Sequence, residues 1–217
     1  MYKFKAEPLL WRIKDKRFHE VVGLGEGVIG TSARGTSWLA GGALRGLVDK
    51  HDKLCDFDLF FSNALRAAEV GLDLEVRGFR MIFKCPKGEL TTYFKLMEPD
   101  FTDMTIDVAG SQDLKVQLVT KNFYTSAEQM LGTFDIDAAR LAYDGKFVYA
   151  DRAAIRSAKK REVTLHNVTH PNATFKRILK YKDKGFKITN EAVDFFTQSV
   201  YDKGVREAPL YREFYVD

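Results

Sequence analysis

The sequence predicts an α+β protein: a mixed β-sheet flanked by helices, followed by a helical C-terminal subdomain. Three observations carry that prediction. Short apolar and aromatic runs bounded by turn residues crowd the middle of the chain, helical periodicity takes over after Asp151, and 217 residues suit one large domain with a small appendage. With 45% hydrophobic and 29% charged residues, the chain can bury a full core and is not a disordered polymer. The expected division is an N-terminal helix with a glycine-rich connector over 1–35, a core over 36–150, and a basic helical subdomain over 151–217.

From Glu7 to Val22 the apolar positions Leu9, Leu10, Ile13, Phe18, Val21 and Val22 recur at roughly helical spacing, and Pro8 fits a first turn. Gly23, Gly25, Gly27 and Gly30 then interrupt regular structure. A dinucleotide loop would need a preceding strand and an acid at the right distance, so this cluster reads as a connector. Thr36–Ala40 is a strand candidate running into Gly41-Gly42, and Ala43–Val48 opens a helix. Asp56–Phe61 is a second strand, after which Ser62 or Asn63 caps a helix through Val70.

Strand-like stretches follow at 74–76, 80–85, 90–96, 104–108 and 115–120, with the Pro86-Lys87-Gly88 turn between two of them as in a hairpin. Ser126–Leu131 reads as a short helix ended by Gly132. Phe134–Ala142 reads as a strand, closed by the Asp144-Gly145 turn and a return over Lys146–Tyr149. Helical segments are expected near 152–160, 171–184 and 190–203.

Charge is unevenly distributed. Residues 151–190 hold eleven Lys or Arg against three Asp or Glu, a net +8 in a chain whose total is +4. A near-neutral to acidic body followed by a basic segment suits contact with phosphates or nucleic acid, and also ordinary solvated helices. Two cysteines, Cys55 and Cys85, exclude a disulfide scaffold and a four-cysteine metal site, and fit a reducing compartment. No apolar run approaches the roughly 20 residues that span a bilayer, and no signal-peptide core follows Met1. The expectation is a soluble cytoplasmic protein without a membrane partner.

One stretch carries chemistry: Gly41-Gly42-Ala43-Leu44-Arg45, then Asp56-Phe57-Asp58. Side chains alternate along a strand, so Asp56 and Asp58 project from one face, about 6.6 Å apart. Paired carboxylates on a rigid strand suit hard divalent cations, and two such ions can clamp a phosphoryl displacement if a third carboxylate joins. Glycines without Cβ let the backbone approach a phosphate, a helix starting at Ala43 would aim free N–H groups at it, and Arg45 adds a positive charge. Together these residues form an anion cradle beside a metal site, as a nucleoside triphosphate with Mg2+ requires.

Residues 38–61 resemble the signature of the polymerase-beta-like nucleotidyltransferase superfamily, with Gly41, Gly42, Asp56 and Asp58 matching its pattern. Ala43-Leu44-Arg45 is similar to the segment after the glycines in tRNA-nucleotidyltransferase-like members, which usually continue with Asp where this chain has Gly46. Further stretches, Lys115–Val119, Phe134–Asp137, Ala142–Gly145, Arg177–Tyr181 and Lys184–Phe186, resemble a nucleotidyltransferase-like group of phages, large viruses and some fungal multidomain proteins.

The resemblance implies a nucleotidyltransferase fold and transfer of a nucleoside monophosphate from an NTP to an acceptor hydroxyl, with release of pyrophosphate. It further implies an RNA acceptor of the tRNA kind, Mg2+ or Mn2+ as cofactor, and Asp56 and Asp58 as catalytic metal ligands. The superfamily's third carboxylate lies on a later strand; Asp135 is favoured, then Asp137, then Asp107. Gln117 lies on a strand suited to such an acid, whose charge glutamine cannot replace. The alternatives are a catalytically silent nucleotide- or RNA-binding module and nucleotidyl transfer to a protein.

Among the basic residues, Lys176, Lys180 and Lys184 line one face of a helix, with Arg177 beside them. Lys176 and Lys180 are the candidate phosphate contacts there. Phe175, Tyr181 and Phe186 interleave with them as core packing or stacking groups, and Phe195-Phe196 packs the last helix onto the body. His166 and His170 have the i, i+4 spacing of a metal pair, but Pro171 follows and no Glu-bearing motif surrounds them, so a loop or capping role is expected. No nucleophile elbow and no Walker-type loop is present.

Overall fold

Alternation sets the central strand. In Phe57–Phe61 the odd positions Phe57, Leu59 and Phe61 are buried, while Asp58 and Phe60 turn to the other face and are half-buried. The computed structural model describes residues 1–10, 16–22, 36–49, 56–96 and 113–203. The glycines at 23, 25, 27 and 30, Cys55, Asp107 and the strand expected over 104–108 lie outside the described residues.

The strands are β1 (Tyr2–Lys5), β2 (Ser37–Ala40), β3 (Phe57–Phe61), β4 (Arg80–Lys84), β5 (Leu90–Leu96), β6 (Asp113–Val119), β7 (Leu141–Tyr143) and β8 (Phe147–Ala150). They form one sheet in the order β1-β8-β7-β2-β3-β6-β5-β4. Only β3 and β6 pair in parallel; every other neighbour is antiparallel, which makes the sheet mixed. A parallel pair needs a crossover between its strands, and the stretch between β3 and β6 supplies it with α3 (Ala64–Val76) and the β4–β5 hairpin. Tyr2–Lys5, where no strand is expected from sequence, is the sheet edge, paired with β8.

The remaining helices are α1 (Glu7–Leu10), α2 (Lys16–Val22), α4 (Ala127–Leu131), α5 (Arg152–Lys160), α6 (Pro171–Asp183) and α7 (Asn190–Asp202). Phe18, Val21 and Val22 of α2 and Ala67, Val70 and Leu74 of α3 join Leu39, Phe57, Leu59 and Phe61 in one core. Trp38 and Ala40 point the opposite way along β2, into a second core with Met130 and Leu131 of α4. A third cluster, Ile136, Ala158, Val163, Ile178, Tyr181 and Phe186, joins α5 to α6. There β9 (Glu162–Val163) and β10 (Lys187–Ile188) form a short parallel ladder.

Local chemistry explains the helix ends. Asn63, Ser126, Asp151 and Thr189 each accept a backbone N–H from the first turn of the helix they cap, and Pro171 opens α6, where its missing N–H costs nothing. No helix among the described residues is long and apolar enough to cross a membrane.

Three expected elements differ. Leu74–Val76 closes α3 rather than forming a strand, because Leu74 completes the buried stripe Ala67, Val70, Gly71 at helical spacing. The helix expected from Ala43 is a 3-10 helix over Gly41–Leu47. Phe134–Ala142 is not a strand: Ile136 makes an isolated bridge to Leu165, Asp137–Ala139 is a 3-10 turn, and only Leu141–Tyr143 is extended.

Candidate functional site

The site lies where β2 runs into its turn alongside the start of β3. Ala40, the last residue of β2, pairs with Asp58, and the next residue, Gly41, has φ +84°. A Cβ built on Gly41 would lie 3.7 Å from Asp58 Oδ2 and 3.9 Å from the Phe134 ring. Glycine therefore serves twice here: it adopts a left-handed backbone, and it leaves open the space in front of the carboxylate. Gly42 follows it within the 3-10 helix.

Asp56 directly precedes β3, and Asp58 shares its face by the two-residue period. Burial raises the Asp58 carboxyl from 3.8 to about 7, with the neighbouring Asp56 charge adding to the rise. Three cations oppose it: Lys180, Lys115 and Lys184. Lys115 stands on β6 with its Nζ 3.5 Å from Asp56 Oδ2, and Gln117 is in register opposite Asp58. Lys180 on α6 and Lys184 at its end bring charge from the C-terminal segment to the same carboxylate. Lys176 is exposed one turn earlier on α6.

The structure thus brings together Asp56, Asp58, Gly41 and Lys180 of the expected residues. Arg45 is corrected. The residue is 1% exposed, and its guanidinium donates to the Tyr181 hydroxyl at 2.6 Å and lies 4.9 and 5.7 Å from the Tyr181 and Phe186 ring centres. A planar, weakly hydrated cation stacks well on aromatic faces, and this one ties the glycine turn to α6 rather than facing open space.

Asp135 is engaged with α6. Its Oδ2 accepts from Thr174 Oγ1 at 2.7 Å and from Arg177 Nε at 2.8 Å, and its Oδ1 accepts the Ile136 N–H. Asp137 binds Arg140 and Thr164. Among the described residues no group of three His, Cys, Asp or Glu side chains gathers as metal ligands. Asp135 fastens the segment before β7 to α6, and Asp137 fastens it to Thr164, which follows β9. His166 and His170 are exposed, and His170 stands at the cap position of α6.

Sequence reasoning missed Lys115 and underrated Lys184. The alternation Lys115-x-Gln117 puts both on one strand face, and only the register with β3 shows that this face is the acidic one.

The donor set fits a hard divalent cation. Two mutually repelling carboxylates stand together, one of them beside the glycine bend, and a lysine ammonium already stands against the other in the position of a cation. Gly41→Ala is expected to lower nucleotide-analogue affinity at least tenfold, because it fills the space in front of the Asp58 carboxylate and strains the backbone by about 1 kcal/mol. Gly78→Ala is the control: φ is +83° there with nothing within 4 Å, so it should lose similar stability yet keep binding, as titration calorimetry will show.

Comparison with solved structures places the fold. A CCA-adding enzyme in complex with ATP superposes with a TM-score of 0.65 at 15% identity, covering 96% of this chain and 48% of that one. A complex with CTP gives 0.63 at 17% identity, covering 96% and 49%. The Thermotoga maritima CCA-adding enzyme complexed with tRNA gives 0.58 at 15% identity, covering 93% and 46%. At such identities the likeness shows a nucleotidyltransferase-like fold, and the chain spans about half the length of these enzymes. No curated protein matches it in sequence. A family profile does match, over residues 10–161, and by that match the chain belongs to the Gabija anti-defense 2 family.

Proposed function

We propose that this chain is a Mg2+-dependent nucleotidyltransferase that moves a nucleoside monophosphate from an NTP to an acceptor hydroxyl on RNA of the tRNA kind. One observation carries the reading: on a nucleotidyltransferase-like fold, the Asp58 carboxylate stands beside the bend at Gly41, with Asp56 directly before the same strand. The acceptor oxygen bonds to the α-phosphorus, the bond to pyrophosphate breaks, and the acceptor's proton passes to solvent. Asp56 and Asp58 would hold the metal ion, which supplies charge neutralisation to the phosphate oxygens. Lys180, Lys184 and Lys115 add positive charge around the same carboxylates, so catalysis is positioning and electrostatics without a covalent enzyme intermediate. The family's description speaks of anti-defence against Gabija, and we take nucleotidyl transfer as the means of it.

A second reading, a silent nucleotide- or RNA-binding module, is favoured by Gln117 standing opposite Asp58 where a third acid would complete the set. Incubation with labelled NTPs, Mg2+, tRNA and bulk protein separates the readings. Label on RNA supports the first, label on protein supports transfer to a protein acceptor, and saturable binding without transfer supports the second.

A further inference from the structure

The strand beside the acids, β6, has an acid only at its first position, Asp113, and places Lys115 and Gln117 alongside Asp56 and Asp58. β6 runs parallel to β3 with Gln117 opposite Asp58, so Lys115, two residues earlier, stands on the same face next to Asp56. Its ammonium is 3.5 Å from Asp56 Oδ2, and neither side chain is fully exposed, at 21% and 40%. Lys115 rises between Leu114 and Val116, both fully buried in the core, so its base is fixed by the sheet. On its other side the register of β5 places Phe94, which offers no competing anion, and beside Gln117 it places the buried Thr92. The carboxylate within ion-pair distance of this lysine is Asp56, directly before β3.

We propose that Lys115 is a resident counter-cation of the acidic pair, which an incoming divalent ion must displace from Asp56. The inference rests on the metal and nucleotide reading above. A single ion entering the site pays for that displacement, whereas an ion arriving with a triphosphate brings anionic oxygens to the freed ammonium. Metal and nucleotide then bind cooperatively, and by linkage each raises the affinity of the other equally. Lys115 is in this sense a positioning and selectivity residue, favouring the metal–nucleotide pair over the bare ion.

The test is Mn2+ binding followed by electron paramagnetic resonance, with and without a nonhydrolysable ATP analogue. Lys115→Met keeps the apolar stem and is expected to bind Mn2+ alone about two- to fivefold more tightly than the wild type, the size of a released, partly exposed ion pair. The further tightening that the analogue gives the wild type should shrink in this variant. Lys115→Arg keeps the cation and should match the wild type. Unchanged or weaker Mn2+ binding in Lys115→Met overturns the inference, as does equal tightening in Lys115→Arg. Failure of the analogue to bind either protein overturns the nucleotidyltransferase reading instead, and the metal-alone comparison still decides this one.

Discussion

Asp58→Asn is expected to make the metal-free protein more stable at pH 8 while abolishing nucleotidyl transfer by at least a thousandfold. The folded-state value of Asp58, about 7, lies above the 3.8 of an unperturbed carboxyl. The folded protein therefore binds a proton more tightly than the unfolded chain between those values, and stability falls as pH rises from about 4 to about 7. Each unit of difference corresponds to about 1.4 kcal/mol. Solvent reaches a half-buried carboxylate, so the net gain on neutralising it is expected nearer 2 kcal/mol. Asparagine keeps the shape and removes the charge, so melting curves of the variant should lose this stretch of pH dependence. A divalent cation should restore the wild type's lost stability at pH 8 and leave the variant unchanged, because binding to the folded state alone stabilises it. A variant less stable than the wild type at pH 8, or one still active, contradicts this assignment.

Asp135→Asn separates two roles for the second-largest expected effect. If Asp135 serves only to fasten α6, the change weakens its bonds from Thr174 and Arg177 and costs about 2 kcal/mol, the usual worth of hydrogen bonds to a charged group. Nucleotide affinity should fall as well, since Lys180 and Lys184 follow Arg177 along and just beyond the same helix. Mn2+ affinity in the absence of nucleotide should stay unchanged. A metal ligand would behave in the opposite way: affinity for Mn2+ would drop about a hundredfold with little loss of stability. Thermal melts and Mn2+ titrations on one preparation give both numbers.

The glycine bend, the acidic strand and the helices after Asp151 were legible because each rests on local chemistry. Phe57, Leu59 and Phe61 alternate with Asp58 within five residues, and Asp151 and Thr189 cap the helices that follow them. What depends on distant partners was not legible. Arg45 follows the glycines and so resembles a phosphate ligand, yet its partner Tyr181 lies 136 residues away. Asp135 and Asp137 alternate as strand residues would, but Ile136 bridges to Leu165 and the chain turns at once. The pairing of Gln117 with Asp58 is a register, and register follows from how the whole sheet assembles.

The account stands on a metal-bearing triphosphate seated between Asp56, Asp58 and the bend at Gly41. Crystals grown with Mn2+ and a nonhydrolysable ATP analogue, measured at the manganese absorption edge, test that placement directly. The account predicts an anomalous peak within bonding distance of both carboxylates, with the analogue's phosphates over Gly41. A peak at other side chains, or an analogue bound away from that bend, would contradict it.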